Sequence, residues 1–219
     1  MAGAGRSQEA SCRRVRPCAR EISRYGARWR SIHMLLIHHD LPSTAPAEPA
    51  AAGRHLGSRP SGAEVVIRGL ELSDRDFVAS ILEQLGWQSR LQRFLAPRPI
   101  LSERDLSTIT RVDGFDRAGT IAFAGSSPIG AAHYVRTAEP EVAEIAVEVV
   151  DDWQRRGVGR SLLAQLRLSA LRAGCRRLEW FAFESNRAAA ALARDLPDRR
   201  STRGRGGVAR CSAAICRLV

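Results

Sequence analysis

Apolar and polar positions between residues 64 and 196 alternate between strand-like and helix-like segments. Runs rich in β-branched and aromatic residues predict strands at 64–68, 118–124, 129–136, 142–150 and 178–183. Apolar residues at helical spacing predict helices that open near residues 73 and 102, a third that ends at Gly174, and a fourth at 186–196. The resulting order, β-α-α-β-β-β-α-β-α, places this segment in the α/β (α+β) class.

The first helix has a local start pattern. Ser73 stands at the N-cap position and Asp76 three residues later. Leu72 and Phe77 flank this pair and have the spacing of a hydrophobic staple. Ser102 begins a similar pattern for the second helix.

Composition divides the chain into three parts. Residues 1–63 are rich in Arg, Ala and Pro and are predicted to be disordered. Residues 64–196 form the predicted domain. Residues 197–219 show no alternating strand pattern, and the Arg-Gly-Arg-Gly-Gly run at 203–207 is typical of a flexible segment, so we interpret them as an atypical tail.

The formal charge of +11 lies outside the predicted domain. Ten Arg against four acidic residues precede residue 64, eight Arg against two acidic residues follow residue 186, and the segment between them is nearly neutral. All 34 basic residues are Arg, which we interpret as the codon bias of a high-GC genome. Nucleic acid is therefore not the expected partner, although Arg-rich flanks can bind acidic polymers non-specifically.

The five cysteines include no Cys-x-x-Cys pair and have no histidine at zinc-ligand spacing, so no metal site is predicted. An odd number of cysteines without a clear signal peptide indicates a reducing compartment. Met34-Leu35-Leu36-Ile37 is too short an apolar run for a membrane span. We therefore expect a cytoplasmic protein.

The strongest chemical motif lies between the strand at 142–150 and the helix that ends at Gly174. It reads Gln154-Arg155-Arg156-Gly157-Val158-Gly159, followed by Arg160 and Ser161. A glycine turn that opens a helix presents free backbone N–H groups at the positive end of the helix dipole, and this geometry binds phosphate. The arginines add charged donors. The motif is neither a P-loop nor a dinucleotide fingerprint, because it lacks the Gly-Lys-Ser/Thr and the third glycine.

The Q-x-x-G-x-G motif after a hydrophobic strand resembles the acyl-CoA pyrophosphate loop of the GNAT superfamily of N-acyltransferases. Within that superfamily, residues 89–196 look like the GNAT domain of bacterial protein lysine acetyltransferases. The similar pieces include Arg90-Leu91-Gln92-Arg93-Phe94, Ala143-Glu144-Ile145-Ala146 and Glu184-Ser185-Asn186-Arg187. The resemblance implies a mixed central sheet flanked by helices, acetyl-CoA as co-substrate, and a protein lysine or a small-molecule amine as acceptor.

The resemblance also implies where the co-substrate binds. Pantetheine would run beside Val147 and Val149, and pyrophosphate would lie on the loop. The loop residues expected to contact it are Gln154, Arg155, Arg156, Gly157, Val158, Gly159, Arg160 and Ser161. Asn186 matches an asparagine that contacts the cofactor in many relatives, and a helix-cap role is the equal alternative.

Acyl transfer to an amine needs a base, and Glu144 matches the glutamate taken as general base in the lysine acetyltransferase relatives. Glu148 shares its strand face because side chains alternate along a strand, and it is the second candidate. A solvated acidic strand face is the alternative interpretation of both. The tyrosine that many GNAT enzymes place in the last helix as general acid is missing, so water is expected to protonate the leaving thiolate.

The C-terminus departs from the family pattern. Relatives continue after the last helix into a Gly-Phe pair and two strands, whereas here Leu196 is followed by Pro197-Asp198 and the Arg-rich tail. We therefore expect the C-terminal strands to be missing or altered, with an open sheet edge through which a homodimer could form. The alternative to an active enzyme is a non-catalytic or decayed acyl-CoA-binding protein.

Overall fold

A computed structural model describes residues 64–96 and 103–215 of the chain. The predicted disordered extension at 1–63 and the predicted cap Ser102 lie outside the described residues. The division of the chain at residues 63 and 196 stays a prediction.

The centre of the fold is a seven-stranded mixed sheet with the strand order β1-β2-β3-β4-β5-β7-β6. Strands β4 and β5 are parallel, and every other neighbouring pair is antiparallel. The strands are β1 (Val65–Gly69), β2 (Arg117–Ala124), β3 (Ser127–Arg136), β4 (Val142–Val149), β5 (Arg177–Phe183), β6 (Arg200–Arg203) and β7 (Val208–Ala214).

Helices cover both faces of the sheet, which confirms the predicted α/β class. They are α1 (Arg75–Gln84), α2 (Trp87–Phe94), α3 (Glu103–Thr110), α4 (Val158–Arg172) and α5 (Arg187–Leu192). Leu162 and Leu166 of α4 are fully buried in the core of one face, where Ala143 and Ile145 of β4 meet them. The core of the other face contains α1, α3 and the end of α2. Strand alternation therefore turns the even-numbered residues of β4 toward the α1–α3 face.

The start of α1 differs from the prediction at Ser73. Residues Leu72–Asp74 form a 3₁₀ turn, and α1 begins at Arg75. The buried carboxylate of Asp74 accepts the Glu71 N–H over 2.8 Å and two hydrogen bonds from Arg68 over 2.7 and 2.6 Å. Asp74 therefore occupies the N-cap position of α1, but its carboxylate makes no cap hydrogen bond to α1 and instead holds the preceding turn and an arginine of β1.

The expectation of missing C-terminal strands is wrong. Strand β7 pairs with β5 at seven positions, from Arg177↔Ala214 to Phe183↔Val208, and β6 pairs with the outer side of β7. Ala209 and Ala213 are buried in the sheet, and Gly206 and Gly207 supply the positive φ angles of the turn between the strands. Buried and more exposed positions do alternate along β7, but its most buried residues are alanines. Alanine gives only a weak hydrophobic signal in a sequence, and four arginines nearby hide it further.

Candidate active site

Strands β4 and β5 separate after only three paired positions. They pair at Val142↔Arg177, Ala143↔Leu178 and Glu144↔Glu179, while β4 stays paired with β3, and β5 with β7, to their ends. A cleft of about 500 Å³ opens between them. The edge of β4 beyond Glu144 therefore offers backbone donors and acceptors that β5 does not use.

The cleft collects most of the residues that the sequence predicts for co-substrate binding. It is lined by Val147, Glu148, Val149, Gln154, Arg155, Gly157, Gly159, Arg160 and Asn186, with Ser89, Gln92 and Arg93 of α2 on the opposite wall. Arg156, Val158 and Ser161 belong to the same loop or helix start but do not line the cleft. Glu144 lies at the last paired position, where the two strands begin to separate.

The loop before α4 has the geometry of an anion site. Gly157 caps the helix with φ 88°, and Arg155 also has a positive φ of 59°. The first helical hydrogen bond runs from the Ser161 N–H to the Gly157 carbonyl over 3.0 Å. The N–H groups of Val158, Gly159 and Arg160 therefore precede the hydrogen-bonded part of the helix, where the dipole favours an anion.

Gly159 forms part of the cleft wall. A Cβ atom added there would lie 3.6 Å from Val149, 3.8 Å from Leu192 and 3.9 Å from Val147. These are ordinary contacts, so the protein itself does not require glycine at this position. A longer side chain would instead occupy the space of a bound molecule.

Gln154 fastens the loop to the end of β4 and to α2. Its Nε2 donates to the Val149 carbonyl, to Ser89 Oγ and to Asp151 Oδ1, each over 3.0 Å. Ser89 Oγ in turn donates to Asp151 over 2.6 Å. Gln154 is predicted from the sequence to contact the co-substrate, and no role is predicted for Ser89, but these contacts show that the glutamine also positions the loop.

The arginines of the loop make separate contacts. The Arg156 guanidinium lies 5.1 Å from the centre of the Trp153 ring. Arg160 forms a solvent-exposed ion pair with Asp195 over 3.0 Å. Exposed pairs of this kind are weak and screened, so Arg160 can turn toward a bound anion at little cost.

Asn186 lies at the N-cap of α5, where its Oδ1 accepts the Ala189 N–H over 2.9 Å. It also lines the cleft. The helix-cap interpretation is therefore confirmed, and a contact with the co-substrate stays a prediction.

Glu144 and Glu148 are both buried, with 4 % and 3 % of their surfaces exposed. A solvated acidic strand face therefore does not describe them. Four residues along a strand separate their Cα atoms by about 13 Å. The two carboxylates therefore lie at separate places along β4, and Glu148 has its own partners.

Glu148 lies in a buried charged cluster with α2 and β3. Arg93 Nε donates to Glu148 Oε2 over 3.0 Å, and His133 Nδ1 is 3.8 Å from Glu148 Oε1. Burial raises the pKa of the Glu148 carboxyl above its usual range, and the charge and hydrogen bond of Arg93 offset this only in part. No local pattern points to a role for Arg93 or His133, since they precede Glu148 by 55 and 15 positions.

Glu144 lies beside a different group of charges. Its partner in the sheet is Glu179 of β5, and paired side chains on neighbouring strands project from the same face of the sheet. Arg210 of β7 donates from Nε to Glu179 Oε1 over 2.7 Å, and the side chain of Arg210 is 58 % exposed. No role was predicted from the sequence for Glu179 or Arg210. Arg210 lies in the segment that was interpreted as a tail.

Residues 64–96 and 103–215 contain neither of two other kinds of site. Over these ranges, no three His, Cys, Asp or Glu side chains come together as metal ligands. None of the helices described there is long and apolar enough to cross a membrane.

The sequence and the fold of this chain are both similar to those of known proteins. Residues 85–196 match the Acetyltransferase (GNAT) family. The GNAT domain of PAT from S. lividans is 30 % identical over 68 % of this chain and 89 % of that domain, with a TM-score of 0.62.

Two more distant structures share the fold. They are yncA from Salmonella typhimurium, solved with acetyl-CoA (16 % identity, 70 % and 95 % of the two chains, TM-score 0.56), and PaiA N-acetyltransferase from Thermoplasma acidophilum, solved with coenzyme A (15 % identity, 69 % and 99 %, TM-score 0.51). The chain therefore belongs to the GNAT family of acetyltransferases.

Proposed function

We propose that this protein is an N-acetyltransferase that moves an acetyl group from acetyl-CoA to an amine, either a protein lysine or a small molecule. The observation that carries the proposal is the continuity of the cleft. It runs from the anion-binding start of α4, along the unpaired edge of β4, to the point where β4 and β5 separate at Glu144. The family membership supports acetyl-CoA as the co-substrate.

The phosphate-binding end of the cleft supports this assignment. The N–H groups of Val158, Gly159 and Arg160 would hold the pyrophosphate, with Arg155 and Arg156 as further charged donors. Beyond this end, Val147 and Val149 flank the path of the pantetheine arm, whose amide groups match the unused backbone groups of β4. Asn186 also lines the cleft.

Glu144 is the residue that we assign as general base. It lies where β4 and β5 begin to separate, next to Ile145, which lines the cleft, so an acceptor at this end would reach both the thioester and the carboxylate. Glu144 takes a proton from the acceptor ammonium, directly or through one water, and the amine forms an amide bond as the C–S bond breaks. Water then protonates the leaving thiolate, because α5 carries no tyrosine.

The acceptor class follows from the family resemblance. The similarity to the PAT GNAT domain supports a protein lysine as acceptor, and a small-molecule amine is the second class. Cytoplasmic localisation and a homodimer stay predictions. The alternative of a decayed, non-catalytic protein relied on missing terminal strands, and β6 and β7 remove that motive.

An acetyl-CoA thiol-release assay with two sets of acceptors tests the proposal. One set contains lysine peptides and folded proteins, and the other contains polyamines and aminoglycoside-like amines. Mass spectrometry of the products should show the addition of one acetyl group to an amine. Calorimetry on the same sample separates the outcomes, since tight acetyl-CoA binding without product would favour a non-catalytic protein and absence of binding would contradict the proposal altogether.

A further inference from the structure

Arg93 lies in the wall of the cleft with unused hydrogen-bonding capacity. Its side chain is 5 % exposed, its Nε donates to Glu148 over 3.0 Å, and its guanidinium lies 5.0 Å from the centre of the Phe94 ring. Within residues 64–96 and 103–215, neither Nη1 nor Nη2 has a hydrogen-bond partner, although both atoms are buried. The residue also lines the cleft.

This arrangement points to a ligand. A buried guanidinium normally makes hydrogen bonds with most of its five N–H groups, and unsatisfied donors destabilise the protein. Helix α2 contacts both β4 and β5, so it lies over the gap where the strands separate. A molecule that fills the cleft can therefore offer Arg93 the acceptors that the described part of the chain does not supply.

The charge of the cluster indicates which group of the ligand Arg93 contacts. Arg93 and Glu148 form a buried pair with no net charge, so a ligand carboxylate would leave one buried negative charge uncompensated. A neutral carbonyl oxygen has no such penalty. The cleft also has apolar walls, with Val147, Val149 and Leu163 among their residues.

We propose that Arg93 donates from its Nη atoms to an amide carbonyl of the pantetheine arm of acetyl-CoA, and that Glu148 positions and neutralises Arg93. The assignment depends on acetyl-CoA binding, as proposed above. It gives Glu148 a positioning role in place of the base role considered from the sequence. The pantetheine arm fits because it connects the phosphates at α4 to the thioester near Glu144 and carries two amide carbonyls.

The first test is the variant Arg93→Lys. Lysine can keep the ion pair with Glu148 but lacks the two Nη groups. Calorimetry should compare coenzyme A with adenosine 3′,5′-bisphosphate, which keeps the adenine and part of the phosphates but lacks pantetheine. The variant should bind coenzyme A roughly tenfold more weakly or worse and the bisphosphate with unchanged affinity.

A second variant, Arg93→Met combined with Glu148→Gln, removes both charges and avoids an unpaired buried ion. It should show the same selective loss, and its bisphosphate affinity reports whether the fold is intact. Arg172→Lys, an exposed change on α4, is the matched control and should alter neither affinity. Equal weakening for both ligands, or no change for either, would overturn the proposal.

A ligand series then tests the contact itself. In two coenzyme A analogues, each pantetheine amide in turn is replaced by a hydrocarbon link of the same length. The wild type should discriminate against one analogue, and Arg93→Lys should lose that discrimination. If Arg93→Lys instead loses only a preference for succinyl-CoA over acetyl-CoA, Arg93 contacts an acyl carboxylate and the carbonyl assignment is wrong. Failure of the wild type to bind coenzyme A would contradict the proposed function rather than the role of Arg93 alone.

Discussion

Glu144 and Glu179 are the last two residues that pair across the parallel strands β4 and β5. Both side chains are buried, and Arg210 joins the group from β7 through its hydrogen bond to Glu179. Two carboxylates and one partly exposed guanidinium therefore lie together where the strands separate, beside Ile145 and Trp180, which line the cleft. Glu148, about 13 Å further along β4, has its own partners on α2 and β3. This separation makes different roles for the two glutamates of β4 the simplest interpretation.

We predict that Glu144→Gln lowers turnover at neutral pH by roughly a hundredfold or more, because the amide cannot accept the ammonium proton. Affinity for acetyl-CoA should stay near normal, since the side chain lies beyond the phosphate and pantetheine sites. Thiol release and calorimetry measure the two effects separately. Glu141→Gln, an exposed change just before β4, is the control. Full activity of Glu144→Gln across the pH range would show that another group removes the proton.

The phosphate site gives a second prediction, which Gly159 tests better than Gly157. Any side chain at Gly157 meets a strained φ of 88°, so loss of binding there would mix strain with blocked access. Gly159 lies inside α4, and Gly159→Asp should abolish acetyl-CoA binding because it places a carboxylate at the anion site. Gln165→Glu adds the same charge to an exposed position one turn further along α4 and should bind nearly normally. Calorimetry that shows unchanged affinity for Gly159→Asp would refute the anion site.

The loop and the strands around it could be predicted because their determinants are local. A hydrophobic strand, a glycine turn and an amphipathic helix follow one another within residues 142–172, and each carries its own sequence pattern. Glu144 was matched to the base of the family relatives within that same segment, and its role stays a prediction. Local pattern and family resemblance were therefore sufficient for these features.

The parts that escaped prediction depend on distant residues. Arg93, His133 and Glu148 come together only when α2 lies over the sheet, and no spacing rule connects them. Ser73 has the better local capping pattern, yet α1 begins after Asp74, whose carboxylate pairs with Arg68 on β1. Strand β7 was missed because small alanines form its buried side, and its stability derives from pairing with β5 rather than from hydrophobicity of its own.

A third prediction concerns Asp74. The hydrogen bonds from Arg68 hold the pKa of the Asp74 carboxyl below its ordinary value of 3.8, with help from the Glu71 N–H and against the opposing effect of burial. Because this pKa is lower in the folded state than in the unfolded state, the charged carboxylate stabilises the fold at pH values above the unfolded-state pKa. This stabilisation is lost as the pH falls through the folded-state pKa. Asp74→Asn should therefore lower the free energy of unfolding by about 1–2 kcal/mol at pH 7 and by progressively less below pH 3.8.

Urea unfolding at several pH values measures this difference. Asp76→Asn, an exposed change in the first turn of α1, serves as control and should have a much smaller effect. A cost for Asp74→Asn that stays constant down to pH 2 would show that the charge of Asp74 contributes nothing, and that only its shape or hydrogen-bond geometry matters.

The C-terminal strands give the last prediction. Ala213 is fully buried where β7 covers β5, next to Leu178 in the register. Ala213→Glu would place an unpaired charge in this core and should lower the free energy of unfolding by about 3 kcal/mol or more. Ser201→Glu, exposed on β6, should cost less than about 0.5 kcal/mol. Hydrogen exchange gives an independent readout, since the amides of Val208–Ala214 that pair with β5 should be protected to a similar degree as those of β4. Rapid exchange throughout β7, together with a harmless Ala213→Glu, would show that these strands do not hold the sheet in solution.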